Sequence, residues 1–305
     1  ELVNRFDEMI EDLRQSPVAV NTAAANEQHY EVPAEFFEQV LGPRMKYSAC
    51  LWGTGTTDLA AAEEAMLAVT CERAEIRDGD TILELGCGWG SLTLWMAEHY
   101  PASQITAMCN SRSQLQYVQR QAMDRGLQNV EVMHADMCDF DPAKKFDRVV
   151  SVEMFEHMRN YQELMRRISG WLHDDGILFV HVFCHDKVMY PFELKSHTDW
   201  ITRYYFSGGL MPAFRTLTEF QDDLELERSW AMPGTHYERT LNAWLESQDR
   251  AADTIMPIFA STYTPAKAKL WFQRWRMFFM SCAELFGFGD GKQWYIAHYR
   301  FRKSG

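Results

Sequence analysis

Thr81-Ile82-Leu83-Glu84-Leu85-Gly86-Cys87-Gly88-Trp89-Gly90 decides the fold. Thr81 to Leu85 is long and apolar enough for one buried strand. Gly86, Gly88 and Gly90 then allow a tight turn and close approach of a ligand to the backbone. A helical pattern begins near Ser91, and the free N–H groups of its first turn aim at the same spot. Strand, glycine turn and helix in this order usually hold a nucleotide-like ligand in α/β proteins. The dinucleotide fingerprint does not fit, because the third glycine comes one position early. The Lys-Ser/Thr pair of a phosphate-binding loop is absent.

Outward from this stretch, strand and helix patterns alternate. Further strands are predicted at Ile105–Cys109, Val130–His134, Phe146–Val152 and Ile177–Phe183, and two more at Leu224–Trp230 and Trp294–Phe301. Helical stretches lie near Ser91–His99, Ser113–Arg125 and Tyr161–Trp171. The alternation predicts an α/β fold with a doubly wound, mainly parallel, seven-stranded sheet. Ligands of such sheets bind at the carboxyl ends of the strands.

Before the core, Asn4–Gln15 reads as an amphipathic helix and Pro17–Gln28 as a loop or cover. Pro33 opens a helix that Gly42-Pro43 stops. A longer helix, capped by Thr57 or Asp58, runs to about Ala74. After Cys184 the rhythm breaks into an aromatic-rich stretch, expected as an insertion of short helices over the site. Ala266–Phe286 reads as a long helix whose face of Leu270, Trp271, Trp275, Phe278, Phe279 and Phe286 is core. The division is therefore 1–74 as an N-terminal helical extension, 75–184 as the ligand-binding core, 185–222 as the insertion, and 223–305 as the end of the sheet.

With 305 residues, 47% of them apolar, the chain can bury a full core. No apolar run reaches membrane-spanning length, and no signal peptide pattern opens the chain at Glu1. The seven scattered cysteines suit reduced thiols in a cytoplasm. Cys184, His185 and His181 fit no standard zinc spacing, so no metal is expected. The net charge of −13 disfavours nucleic acid and anionic membranes and favours a cationic small molecule.

The fourth strand runs into Ser151-Val152-Glu153-Met154-Phe155-Glu156-His157-Met158. Glu153, Glu156 and His157 are spaced i, i+3, i+4 and would share one face of a helical turn, at the sheet's carboxyl edge. Two carboxylates and an imidazole at one point are costly unless solvated, paired or used. Such a cluster can take a proton from a bound group, and its carboxylates can hold a cationic one. The plainer alternative is an exposed acidic helix start.

Glu84-Leu85-Gly86-Cys87-Gly88-Trp89-Gly90 resembles motif I of class I S-adenosylmethionine-dependent methyltransferases. Glu153-Met154-Phe155-Glu156-His157-Met158 resembles the matching stretch of the coclaurine N-methyltransferase family, which includes the pavine and tetrahydroprotoberberine N-methyltransferases. So do Met45-Lys46-Tyr47-Ser48, Cys109-Asn110-Ser111, Phe179-Val180-His181, Asp199-Trp200-Ile201-Thr202-Arg203-Tyr204, Phe206-Ser207-Gly208-Gly209 and Ala283-Glu284-Leu285-Phe286-Gly287. The likeness runs from about Tyr30 onward.

The resemblance implies a Rossmann-like class I methyltransferase fold and an N-methyltransferase that uses S-adenosyl-L-methionine. Its substrate would be a small aromatic cyclic amine of tetrahydroisoquinoline type. Tyr47 and Ser48 would contact the methionine end of the cofactor from a flap in the N-terminal extension. Glu84, Gly86 and Gly88 would line it, Asn110 and Gln114 would hold the ribose, and Asp136 and Met137 would flank the adenine. Glu153, Glu156 and His157 would bind and activate the amine. His181 and Tyr237 would join them, and Trp200, Tyr204, Phe206 and Trp230 could hold a cationic ring system. A cytoplasmic protein is expected, compatible with a homodimer.

The wider superfamily includes the cyclopropane synthases, which offer the alternative of methyl transfer to an unsaturated acyl lipid. Those enzymes hold bicarbonate as base through a Cys directly after Tyr-Ser, with Glu, His and Tyr. Here Ala49 follows Ser48, although Glu156, His181 and Tyr237 match the other three. Ala49 and the extra acid Glu153 both favour amine chemistry.

Overall fold

The structure, a computed structural model, describes residues 2–20, 32–194, 200–206 and 208–303. Much of the expected loop at Pro17–Gln28, and Asp199 and Ser207 of the quoted motifs, lie outside these residues.

The chain opens with α1 (Leu2–Gln15), which buries Phe6, Ile10 and Leu13 and leaves its acids exposed. Next comes α2 (Ala34–Val40), entered from Pro33, with Phe36, Phe37 and Val40 buried. Asp58 rather than Thr57 caps α3 (Leu59–Arg73), its carboxylate accepting from the Ala61 N–H at 2.9 Å. The core follows as β1 (Thr81–Leu85), α4 (Ser91–His99), β2 (Gln104–Cys109), α5 (Arg112–Asp124), β3 (Val130–His134), β4 (Phe146–Val152), α6 (Tyr161–Trp171) and β5 (Leu172–His185). The sheet is completed by β8 (Leu224–Met232) and β9 (Trp294–Lys303).

Strand order is β3-β2-β1-β4-β5-β9-β8. The first five pair in parallel, and β9 runs antiparallel between β5 and β8. All seven expected strands are present. Alternate side chains serve opposite faces, as the strand's two-residue period requires. Ile82, Val150 and Phe179 pack on Leu67, Cys71, Leu92 and Met96 of α3 and α4. Leu83, Val149 and Leu178 pack on Phe6, Ile10, Leu164 and Ile168 of α1 and α6. Each such side chain stabilises the fold by roughly 1.5–3 kcal/mol through burial.

The segment after β5 differs from the expectation of short helices. Among the described residues it holds one, α7 (Trp200–Tyr204), with a two-stranded ribbon of β6 (Tyr190–Pro191) and β7 (Leu210–Met211) and a 3-10 turn at Thr216–Glu219. Between β8 and β9 lie three helices, α8 (Thr235–Arg250), α9 (Ala252–Thr262) and α10 (Pro265–Gly291), of which only the last was expected. Trp275, Phe278, Phe279 and Phe286 of α10 are buried with Phe36, Phe37 and Trp244, forming an aromatic lobe. Leu270 corrects the expected core face, because it is 49% exposed. Among the described residues no helix is long and apolar enough to cross a membrane.

Candidate active site

A cavity opens at the carboxyl ends of β1, β2 and β4, under the segment Met45–Ser48. The glycine turn shapes its floor. The N–H groups of Gly86 and Cys87 both donate to the Met108 carbonyl at 2.9 Å, which folds the turn back over β2. Gly86 has φ +79, and a Cβ there would sit 2.9 Å from Met154 Cγ. Only glycine meets both conditions. The turn then enters α4, at the amino end of which the backbone N–H groups are free for a ligand.

Every residue expected to hold the cofactor lines this one cavity: Tyr47, Ser48, Glu84, Gly86, Gly88, Asn110, Gln114, Asp136 and Met137. Glu84 is buried and accepts from the Thr93 hydroxyl, and burial pushes its carboxyl up to about 7. Asn110 donates to Asp136 at 3.2 Å, and Asp136 also accepts from the Cys138 N–H at 2.9 Å. Gln114 Nε2, Trp89 Nε1 and Ser91 Oγ are buried against the cavity with no partner among the described residues. Buried polar atoms are rarely left so. Orphaned donors around a glycine cradle fit a polar ligand with acceptor groups, as S-adenosylmethionine is.

The flap is held by two residues that the sequence reading did not single out. Glu63 accepts from the N–H groups of Gly42, Arg44 and Lys46 at 3.0, 2.8 and 3.1 Å, and burial pushes it up to about 6. Lys46 is buried and donates to Ser48 Oγ and the Ala49 carbonyl. Burial pushes its ammonium down. Lys46 stands inside a quoted motif, but its burial could not be read from spacing.

At the far end of the cavity, β4 runs into Glu153, which takes φ +48. A non-glycine residue held there costs of order 1–3 kcal/mol, a strain found at working sites. The Glu153 N–H donates to the His181 carbonyl at 2.8 Å. Its carboxylate collects three donors: the Ala49 N–H at 2.9 Å, His181 Nε2 at 3.2 Å and the Tyr237 hydroxyl at 2.8 Å. Burial pushes the Glu153 carboxyl up, and the Lys46 charge, the Ala49 N–H and Tyr237 pull it back.

The expected single helical face is corrected. The 3-10 turn covers only Phe155–His157, and the left-handed Glu153 stands outside it. Glu153 and His157 line the cavity, whereas Glu156 is buried behind it, with one carboxyl oxygen unpartnered among the described residues. Burial, backed by the Glu153 charge, pushes Glu156 well above the carboxylate range, which favours its protonated form. Burial pushes His157 down to about 4 against the pull of Glu153. His157 is therefore an uncharged imidazole at neutral pH.

The aromatic expectations divide. Phe206 lies parallel to the His157 ring, 5.9 Å away with 3° between planes. Trp200 instead packs edge-on against Tyr205 at 6.1 Å. Tyr204 lies under Arg274, 4.0 Å from its guanidinium carbon, and accepts a hydrogen bond from it. Trp230 is covered by Arg73, Arg228 and Arg300 at 4.9, 5.0 and 5.7 Å, out on β8. The cation–π capacity of Tyr204 and Trp230 is thus taken up by the chain's own arginines, which corrects the expectation that they hold a substrate cation.

The strand order, the glycine turn and the cavity define a class I methyltransferase. A family model described as mycolic acid cyclopropane synthetase matches residues 19–295. The chain is 37% identical to (S)-coclaurine N-methyltransferase of Thalictrum flavum subsp. glaucum, over 99% of this chain and 85% of that protein. A crystal structure of coclaurine N-methyltransferase bound to N-methylheliamine and SAH superposes with a TM-score of 0.95 at 37% identity, covering 99% of this chain and 88% of that one. A cyclopropane synthase of Mycobacterium tuberculosis shares the fold with a TM-score of 0.80 at 21% identity, covering 94% of this chain and 100% of that one. The chain belongs to the mycolic acid cyclopropane synthetase family, as a homologue of the coclaurine N-methyltransferases.

Proposed function

We propose that the chain is an S-adenosylmethionine-dependent N-methyltransferase of small aromatic cyclic amines resembling tetrahydroisoquinolines. The single observation that carries this is that Glu153 and His157 line one cavity with the glycine cradle. When bound, the cofactor supplies an electrophilic methyl on a sulfonium. Tyr47, Ser48 and Glu84 hold its methionine end, Gly86 and Gly88 let the backbone approach, Asn110 and Gln114 hold the ribose, and Asp136 and Met137 flank the adenine. Glu153 orients the cationic nitrogen of the arriving amine. An imidazole nitrogen of His157 takes the ammonium proton, which frees the lone pair for attack. The buried Glu156 supports the turn that aims His157. Phe206 stacks against His157 and limits its rotation.

A second reading, methyl transfer to an unsaturated acyl lipid, draws on the family model and on a 28% identical cyclopropane-fatty-acyl-phospholipid synthase of Escherichia coli (strain K12). It needs a separate anion as base. The Ala49 N–H, His181 and Tyr237 that would hold one already converge on Glu153, which favours the amine. The free cysteines fit a reducing cytoplasm, and a homodimer is compatible with the reading. Mass spectrometry after incubation with cofactor and either a panel of cyclic amines or unsaturated phospholipid decides between them. N-methylated amines are expected; a methylated or cyclopropanated lipid without any amine product would overturn the assignment.

A further inference from the structure

A row of paired residues crosses the sheet from the active site to its edge: Val152 on β4, His181 on β5, His298 on β9 and Trp230 on β8. Hydrogen bonds run along it. Arg73, from the end of α3, lies 2.8 Å from His298 Nδ1. His298 Nε2 lies 2.9 Å from His181 Nδ1, and His181 Nε2 lies 3.2 Å from the Glu153 carboxylate. Both imidazoles are wholly buried.

The direction of every bond follows from Arg73, because a guanidinium donates and never accepts. His298 Nδ1 must accept, so its proton sits on Nε2. That N–H donates to His181 Nδ1, so the His181 proton also sits on Nε2 and points at Glu153. A second proton on either ring would set two N–H groups against each other. Burial and the nearby cations Lys46 and Arg73 also hold both rings well below the usual histidine range. The other charged and titratable groups that face the row are the Tyr237 hydroxyl, which donates to Glu153, Lys46, His157 and Glu156 around Glu153, and Arg228 and Arg300, which share the Trp230 ring with Arg73.

We propose that Arg73, His298 and His181 are positioning residues that polarise one line of hydrogen bonds and keep Glu153 an acceptor toward the amine. The role assigned to Glu153 rests on the methyltransferase reading above. The line carries no proton away, because Arg73 at its end accepts none. Glu153 therefore anchors the amine, and the proton leaves through His157.

Two measurements test this. Nitrogen-15 NMR of the ring nitrogens, on wild-type protein without cofactor or amine, should find His181 and His298 neutral and protonated on Nε2 at pH 7. A proton on Nδ1 of either ring, or a charged ring, overturns the proposal whatever the substrate. In turnover, Arg73→Met and His298→Leu should move the acidic limb of the kcat/KM profile upward by about one pH unit, an activity loss of about tenfold on that limb. Arg73→Lys retains a pure donor, and His298→Gln can accept from Arg73 and donate to His181. Both should restore the limb, which a loss of packing alone would not predict. An acidic limb unmoved in both breaking variants overturns the proposal, and if they do not fold, the wild-type ring protonation decides. Failure to methylate any cyclic amine, with the NMR result intact, would count against the proposed function and not against the line.

Discussion

The glycine cradle on the cofactor side is one continuous stretch, Thr81–Gly90, to which the flap adds Tyr47 and Ser48 and the ends of β2 and β3 add Asn110 and Asp136. The amine corner takes Ala49 from the flap, Glu153 and His157 from the turn after β4, His181 from β5, and Tyr237 from α8. The cradle is local and backbone-rich; the amine corner is non-local and made largely of ionisable side chains. The first depends on chain conformation, so its parts tolerate little change of shape. The second depends on protonation, because burial holds His157 down to about 4 and pushes Glu156 up while hydrogen bonds keep Glu153 an acceptor.

Substitutions can break or sharpen this contrast. The largest effect is expected at His157→Ala, where single-turnover methyl transfer should fall by about 10²–10⁴-fold, the range for losing a general base. Calorimetric affinity for the cofactor should change little, since His157 belongs to the amine side. Glu153→Gln should raise the KM for the amine by roughly 10–100-fold with a smaller effect on kcat, as expected when a hydrogen bond to a charged partner is lost. Gly86→Ala tests the local side. Its positive φ and the contact with Met154 should destabilise the fold by about 1–3 kcal/mol in urea unfolding and weaken cofactor binding. Met154 adjoins Glu153, so this substitution should also disturb amine KM, whereas the amine-side variants should leave the cradle intact.

Glu156→Gln is expected to cost less than about tenfold in kcat, because an amide imitates the protonated carboxyl that burial favours. A loss as large as that of His157→Ala would mean that Glu156 works as a charged group. The smallest effect belongs to Trp230→Phe, which should leave amine KM within about twofold, since Trp230 does not line the cavity and Phe keeps a ring under Arg73. A large rise in KM would restore Trp230 to the substrate pocket.

The same contrast explains what was legible in the sequence. Thr81–Leu85 and the other six strands announce themselves by apolar runs and glycine or aspartate turns. The cradle is legible because its residues are neighbours in the chain. Glu153, Glu156 and His157 were visible as a cluster, but their spacing suggested one shared face. The left-handed φ of Glu153 is invisible to spacing, so the burial of Glu156 was missed. Tyr204 and Trp230 looked like cation binders by composition, yet Arg274 and Arg73 reach them across long sequence separations. Lys46, Glu63 and His298 carry buried roles that follow only from which elements meet. Helix α8 was missed although Tyr237, Leu241, Trp244 and Gln248 form its buried stripe at helical spacing.

The most direct test of the account varies the amine's own basicity. Single-turnover methyl transfer at pH 7 should be compared in wild type and His157→Ala, with cyclic amines that are mostly protonated at that pH and with ring analogues that are mostly unprotonated. A severe loss is expected for the protonated amines and a rate close to wild type for the unprotonated ones. An equal loss with both kinds would contradict the role of His157 as the base that frees the nitrogen lone pair.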